Sequence, residues 1–254
     1  MIKIKAIVLC AGYATRLYPL TENQPKPLLN VGDKPIVEHI VDKISKIDEV
    51  DEIFVVTNHK FYPSFQTWLR ERNYNKKINV INDGTLKNDD RLGAVGDLGF
   101  VIKEEDVQDD VLMIAGDNLF GFSLREFLKY FQEKESSVLA FCDLKDKEKV
   151  ANRLGVGILN EELKVTNFEE KPAHPQSTLA ATCCYIFSKK DIKKIREYVQ
   201  TNEKWDDPGD LAKWLAERSI LHGFVFEEHW FDIGSFEGLE EASKYYGEKE
   251  KTEE

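Results

Sequence analysis

Short β-branched apolar runs alternate, over roughly the first 150 residues, with segments whose apolar positions recur at helical spacing. Ile2–Leu9, Ile53–Thr57, Val111–Ala115 and Val138–Cys142 are the runs, and each predicts a strand. Between the first two, Ile36, Val37, Ile40, Val41, Ile44 and Ile47 fall on one face of a helix predicted over Pro35–Ile47. Strands alternating with helices predict an α/β fold with a single doubly wound, mostly parallel sheet of Rossmann-like build, covered by helices on both faces. Ligands of such sheets collect beyond the carboxyl ends of the strands, near a switch in strand order.

After about residue 150 the texture changes. Val156–Leu159 and Lys164–Phe168 read as a β-hairpin around Asn160-Glu161-Glu162, a small layer on one side of the main sheet, followed by a strand over Thr182–Phe187. Helical patterns at Lys189–Gln200, Asp207–Glu217 and Ser235–Tyr246 close the chain, and residues 248–254 read as a solvated, charged tail.

A chain of 254 residues, 42% apolar, is long enough for one sizeable core, since chains of this size bury roughly three quarters of their unfolded surface. The formal charge of −11, with Lys and Arg scattered among more numerous acids, argues against a nucleic-acid surface. Any phosphate chemistry must therefore be local, with a few cations and backbone N–H groups focused at one place. The opening residues have neither the apolar core of a signal peptide nor a membrane-spanning run, so a cytoplasmic protein without a membrane partner is expected. Cys10, Cys142, Cys183 and Cys184 lack zinc-site or redox spacing and read as small apolar residues.

Directly after the first strand, which ends at Leu9, comes Cys10-Ala11-Gly12-Tyr13-Ala14-Thr15-Arg16-Leu17-Tyr18-Pro19-Leu20-Thr21, followed by Pro25-Lys26-Pro27. Small residues at 11, 12 and 14 let the backbone approach an anion, and Arg16 and Lys26 add two cations beside that turn. A tight turn alone would be unremarkable; the two cations point to a polyphosphate. Downstream, Asp117 follows an apolar strand, where an acid is either a turn or helix cap or a metal ligand. Asp232, between an aromatic pair and Ile233-Gly234, needs a hydrogen-bonded or metal partner in so apolar a setting. Glu170 and Lys171 read either as an exposed ion pair or as ligand contacts.

Five ordered segments resemble the sugar-1-phosphate nucleotidyltransferase family, its glucose-1-phosphate thymidylyltransferase-like branch in particular. They are Gly12–Thr21 with Pro25-Lys26, Ala115-Gly116-Asp117-Asn118, Leu154-Gly155-Val156, Phe168-Glu169-Glu170-Lys171-Pro172 and Trp230-Phe231-Asp232-Ile233-Gly234. The resemblance implies one nucleotidyltransferase domain over residues 1–247, with a nucleotide-binding half to about residue 150 and a sugar-phosphate half from 151. It implies Arg16 and Lys26 as catalytic cations, and Leu9, Ala11, Gly12, Tyr13, Ala14, Thr15 and Asp117 as nucleotide contacts. Asp117 and Asp232 would hold one Mg²⁺. Gly155, Glu170, Lys171 and Tyr185 would bind the sugar phosphate, Tyr185 being open to a plain core role as well.

Two departures stand out. Ala14 replaces the second loop glycine, and an alanine there still allows close approach provided φ is negative. Cys183 replaces the glycine of the family's usual Thr-Gly pair. For the base, Asn82 with Gly84 or Gly93 are the candidates, against a plain Asp-Gly turn.

The implied reaction is attack by the phosphate oxygen of a sugar 1-phosphate on the α-phosphorus of a nucleoside triphosphate. It needs no general base, so His39, His59, His174, His222 and His229 read as structural or surface residues. Thymine or uracil nucleotides and glucose 1-phosphate are favoured; CTP or GTP with another phosphorylated acceptor, or a non-catalytic binding module, are the alternatives. Asp117-Asn118-Leu119 breaks the Asp-x-Asp motif of nucleotide-sugar-using glycosyltransferases. A homo-oligomer, dimer or tetramer, is expected from the resemblance.

Overall fold

A computed structural model describes residues 3–201 and 207–253; Ile2 of the first expected strand and Glu254 of the tail lie outside them. The expected strands and helices form in order. The first half runs β1 (Ile4–Leu9), β2 (Asn30–Val31), β3 (Lys34–Pro35), α1 (Ile36–Ser45), β4 (Val50–Thr57), α2 (Tyr62–Arg70), β5 (Lys77–Asn82), α3 (Gly93–Glu104), β6 (Asp110–Ala115), β7 (Asn118–Phe120), α4 (Leu124–Lys134) and β8 (Ser137–Asp143). The second half adds α5 (Lys147–Val150), β9 (Val156–Leu159), β10 (Val165–Glu169), β11 (Leu179–Phe187), α6 (Lys189–Thr201), α7 (Pro208–Ala216), β12 (Leu221–Phe226), β13 (Trp230–Asp232) and α8 (Phe236–Glu253).

Among the described residues one sheet of nine strands carries both halves, in the order β10-β9-β11-β6-β1-β4-β5, with β8 beside β11 and β12 beside β8. β6, β1, β4 and β5 are mutually parallel, and β12 is parallel to β8. β11 runs antiparallel to β6 and β8 and joins the second half to the first. The hairpin of β9 and β10 attaches to β11 through Ala180 and Val156, so it is an edge of the main sheet and not a layer of its own. Its turn closes as expected at Asn160, whose side-chain oxygen accepts from the N–H groups of Glu162 and Lys164.

Successive strand residues point to opposite faces. Ala6 and Val8 of β1, with Ile53 and Val55 of β4 and Leu112 and Ile114 of β6, enter one core under α1 and α4. Ile7, Phe54, Val56, Val111 and Met113 enter a second core under α3, α6 and α7. Burial on both faces is why these strands read as nearly unbroken apolar runs. α8 continues seven residues past Tyr246, where its apolar pattern stops, into the expected tail; Glu and Lys are good helix formers and need no core to extend a helix already begun.

The Asp117–Asp232 pair is set by a small feature off the main sheet. β7 and β13, three residues each, pair antiparallel with Asp232 opposite Asn118, and the Ile233 N–H donates to the Asp117 carbonyl.

Candidate active site

Beyond the carboxyl end of β1 the chain enters the small-residue loop, and β4 pins its first residues. Cys10 N–H donates to Val56 O at 2.8 Å, and Asn58, wholly buried, donates from Nδ2 to Ala11 O at 2.9 Å. Ala14 then adopts φ 49° and ψ 41°. The condition of a negative φ is therefore not met: the backbone keeps a glycine's left-handed turn although the residue has a β-carbon. That conformation costs an L-residue roughly 1–2 kcal/mol. It is held by Thr21, buried, whose hydroxyl donates to Ala14 O at 2.7 Å, and by the Leu17 N–H, which donates to the same oxygen.

Lys26 reaches from this segment to the residue after β6. Its ammonium donates to Asp117 Oδ2 at 2.5 Å, while Asn118 Nδ2 donates to Asp117 Oδ1 at 2.8 Å. Asn118 is fixed in turn by Trp230 of β13, whose indole N–H donates to its side-chain oxygen at 2.6 Å. Gly116 makes the turn possible: a β-carbon there would lie 2.3 Å from Cys10 Sγ and 2.8 Å from Leu9 O. Burial raises the Asp117 pKa, but the Lys26 charge and the two side-chain hydrogen bonds overcome it, and the carboxyl is held below its usual value.

Asp232 behaves in the opposite way. Crowding by surrounding protein that strips part of its water, then the neighbouring Asp117 charge, pushes its pKa up to about 6 against the pull of Lys26, Arg16 and Arg153, although the residue keeps solvent access at the cavity. Among the described residues no donor hydrogen-bonds to its carboxylate. Two adjacent carboxylates, one engaged and one open, are a donor set that fits Mg²⁺, a hard cation that takes one or two carboxylates and completes its shell with phosphate and water oxygens. Among the described residues no group of three or more His, Cys, Asp or Glu gathers as an all-protein metal cage.

Gly12, Tyr13, Ala14, Thr15, Arg16, Lys26, Asp117 and Asp232 line one cavity of about 460 Å³, so these eight expected residues converge. Leu9 and Ala11 stand behind it as the end of β1 and the pinned start of the loop. Asn88, Arg91 and Gly234, not singled out from the sequence, line it too. Asn82, Gly84 and Gly93 do not: Asn82 accepts from the Gly84 N–H and meets His59 through Nδ2, while Gly84 and Gly93, at φ 82° and 77°, shape turns.

On the other side, Glu170 and Lys171 lie at the end of β10, 2.9 Å apart, and Lys171 also meets Asp207 at 3.2 Å. A β-carbon on Gly155 would come within 2.8 Å of Glu170 Oε2, which brings that glycine into the same group. Tyr185 is only 2% exposed and packs edge-on against Phe187 in the second core, in keeping with its core reading. Its neighbour Cys183 has φ 52°, at a break in the β11–β8 register. Burial, then the charges of Asp117, Asp232 and Glu170, push the Cys183 thiol pKa far up, so the thiol feels both halves of the site.

The nucleotidyl transferase family model matches residues 5–249. The chain is 32% identical over 249 residues to the bifunctional protein GlmU of Methanocaldococcus jannaschii, covering 98% of this chain and 55% of that protein. It is 26% identical over 240 residues to the UTP–glucose-1-phosphate uridylyltransferase of Synechocystis, covering 91% of this chain and 60% of that one. The chain thus spans little more than half the length of the curated relatives it matches. A UDP-glucose pyrophosphorylase structure with UDP-glucose bound shares the fold, with TM-score 0.78, 23% identity, and 98% and 100% of the two chains covered.

Proposed function

The chain belongs to the nucleotidyl transferase family, and from that premise we propose that it joins a nucleoside triphosphate to a sugar 1-phosphate, releasing pyrophosphate. The observation that carries this reading is the meeting of Arg16, Lys26, Asp117 and Asp232 around one cavity beyond the carboxyl ends of β1 and β6. A binding module has no need to hold two neighbouring carboxylates beside two cations around one cavity.

The sugar phosphate is ionised at neutral pH and needs no base. What the chain must supply is proximity of two polyanions and stabilisation of charge on the transferring phosphoryl group. Arg16, exposed in the cavity wall, clamps the triphosphate. Lys26, anchored by Asp117, presents its ammonium to the α-phosphate without a search through rotamers. The loop from Ala11 to Thr15 gives backbone N–H groups close access to the anion. Asp117 and Asp232 would hold Mg²⁺, which when bound neutralises phosphate charge and polarises the phosphoryl oxygens. Glu170 orients sugar hydroxyls and Lys171 receives the acceptor phosphate.

A thymine or uracil nucleotide and glucose 1-phosphate are the first choices, supported by the motif resemblance and by the uridylyltransferase relative. The Cys183 side chain, standing where the resemblance expects glycine, favours as second reading the same chemistry on another phosphorylated acceptor. We read the protein as a cytoplasmic homo-oligomer; among the described residues no helix is long and apolar enough to cross a membrane. Pyrophosphate release from dTTP, UTP, CTP and GTP against a panel of sugar 1-phosphates, with Mg²⁺, names the pair; silence across the panel contradicts the proposal.

A further inference from the structure

Lys171 already carries two carboxylates. Its ammonium is 2.9 Å from Glu170 Oε1 and 3.2 Å from Asp207 Oδ1. Glu170 has little freedom to leave: its side chain is 27% exposed, and its Oε2 abuts both Gly155 and Gly209 so closely that a β-carbon on either would collide with it. Asp207 is held differently. Its side chain is 45% exposed, and the residue occupies the N-cap position of α7, where an Asp ordinarily accepts from the first N–H groups of the helix. It makes no such bond. The N-cap carboxylate of α7 is turned to Lys171 instead.

An arriving acceptor upsets this arrangement. A phosphomonoester brings between one and a half and two negative charges at neutral pH, and an ammonium flanked by two carboxylates is a poor place for it, because like charges at that distance disfavour one another. One carboxylate has to withdraw, and Asp207 alone has a ready alternative at its own helix start, where no side chain caps the Gly209 N–H and the Asp210 N–H meets only the Asp207 carbonyl. We propose that Asp207 is a placeholder for the acceptor phosphate: it is paired with Lys171 while the site is empty and turned onto the N-terminus of α7 when the sugar phosphate is bound. The inference rests on the reading of Lys171 as the acceptor's cation. Its consequence is that acceptor affinity is set against an internal competitor, while the transfer step, which begins after Asp207 has moved, is not.

Asp207→Asn removes the charge but keeps a good capping side chain, so the fold is retained; Asp207→Ala removes both. Steady-state pyrophosphate release is measured with glucose 1-phosphate, mannose 1-phosphate and N-acetylglucosamine 1-phosphate as varied acceptors at saturating nucleoside triphosphate, in low and high salt. The expected result is a KM for the acceptor lowered about three- to tenfold in both variants with kcat unchanged, the difference shrinking in high salt as exposed charges are screened. Acceptor at one fixed concentration should also raise the melting temperature of both variants more than that of the unsubstituted protein, as tighter binding to the folded state requires. An unchanged or raised KM in Asp207→Asn overturns the placeholder alone. No release by the unsubstituted protein with any acceptor overturns the reading of the site, and the placeholder with it.

Discussion

The Lys26 ammonium donates to the Asp117 carboxylate at 2.5 Å, joining two residues 91 positions apart and holding a cavity-lining cation against an acid. Lys26→Ala removes the cation and leaves Asp117 desolvated without its main stabilising charge. Turnover should fall about a hundredfold or more, the usual effect of losing one charge that stabilises a transition state in a water-poor site. Steady-state kinetics check this, and near-full turnover by Lys26→Ala would remove Lys26 from the mechanism.

Asp232, with its pKa pushed up to about 6 and no hydrogen-bond donor to its carboxylate among the described residues, is the open half of the carboxylate pair. Mg²⁺ added with nucleotide should raise the melting temperature of the unsubstituted protein and have little effect on Asp232→Asn. A proton competes with the metal for this carboxylate, so Mg²⁺-dependent activity should decline as pH falls through about 6. Equal Mg²⁺ responses in the two proteins would take the metal off Asp232.

Ala14 is held left-handed at φ 49°. Ala14→Gly should relieve this strain and, after the extra chain entropy of glycine is subtracted, stabilise the protein by roughly 0.5–1 kcal/mol. For a chain of this size that is about 1–4 °C in Tm. A lower melting temperature in Ala14→Gly would mean that the β-carbon contributes packing that outweighs the strain.

His229 lies among Phe231, Tyr245 and Tyr246. Burial, then the charges of Lys43 and Lys249, depresses its pKa from 6.5 to about 4. The sign follows from linkage: the unfolded chain takes up this proton first as pH falls, so the contribution to stability is complete above about 6.5 and is lost progressively down to about 4. Denaturant unfolding at several pH values should show a shallower acid-side loss in His229→Gln; parallel pH profiles would contradict the assignment.

Much of this was legible in the sequence where a period repeats. The apolar runs of β1, β4, β6 and β8, and the face from Ile36 to Ile44, follow from burial on both sides of one sheet. The loop cations and the two acids were legible as residue types, and the cavity brings them together. What joins the acids was not legible: β7 and β13 are three residues long, too short for any periodicity, and they pair across more than a hundred positions. Backbone dihedrals were hidden too, because an alanine at position 14 gives no sign that tertiary hydrogen bonds will hold it left-handed. Asn88 and Arg91 sit in a polar stretch without pattern, so only the folded loop shows that they reach the cavity.

The central claim is that the cavity bounded by Arg16, Lys26, Asp117 and Asp232 transfers a nucleotidyl group. Its most direct test follows the label of an α-³²P nucleoside triphosphate incubated with Mg²⁺ and a sugar 1-phosphate, for the unsubstituted protein and Asp117→Asn side by side. The account predicts that the label moves into a nucleotide sugar while unlabelled pyrophosphate is released in equal amount, and that Asp117→Asn, though folded, leaves the label in the triphosphate. Label appearing only in free nucleoside monophosphate or diphosphate, or transfer unaffected by Asp117→Asn, would contradict it.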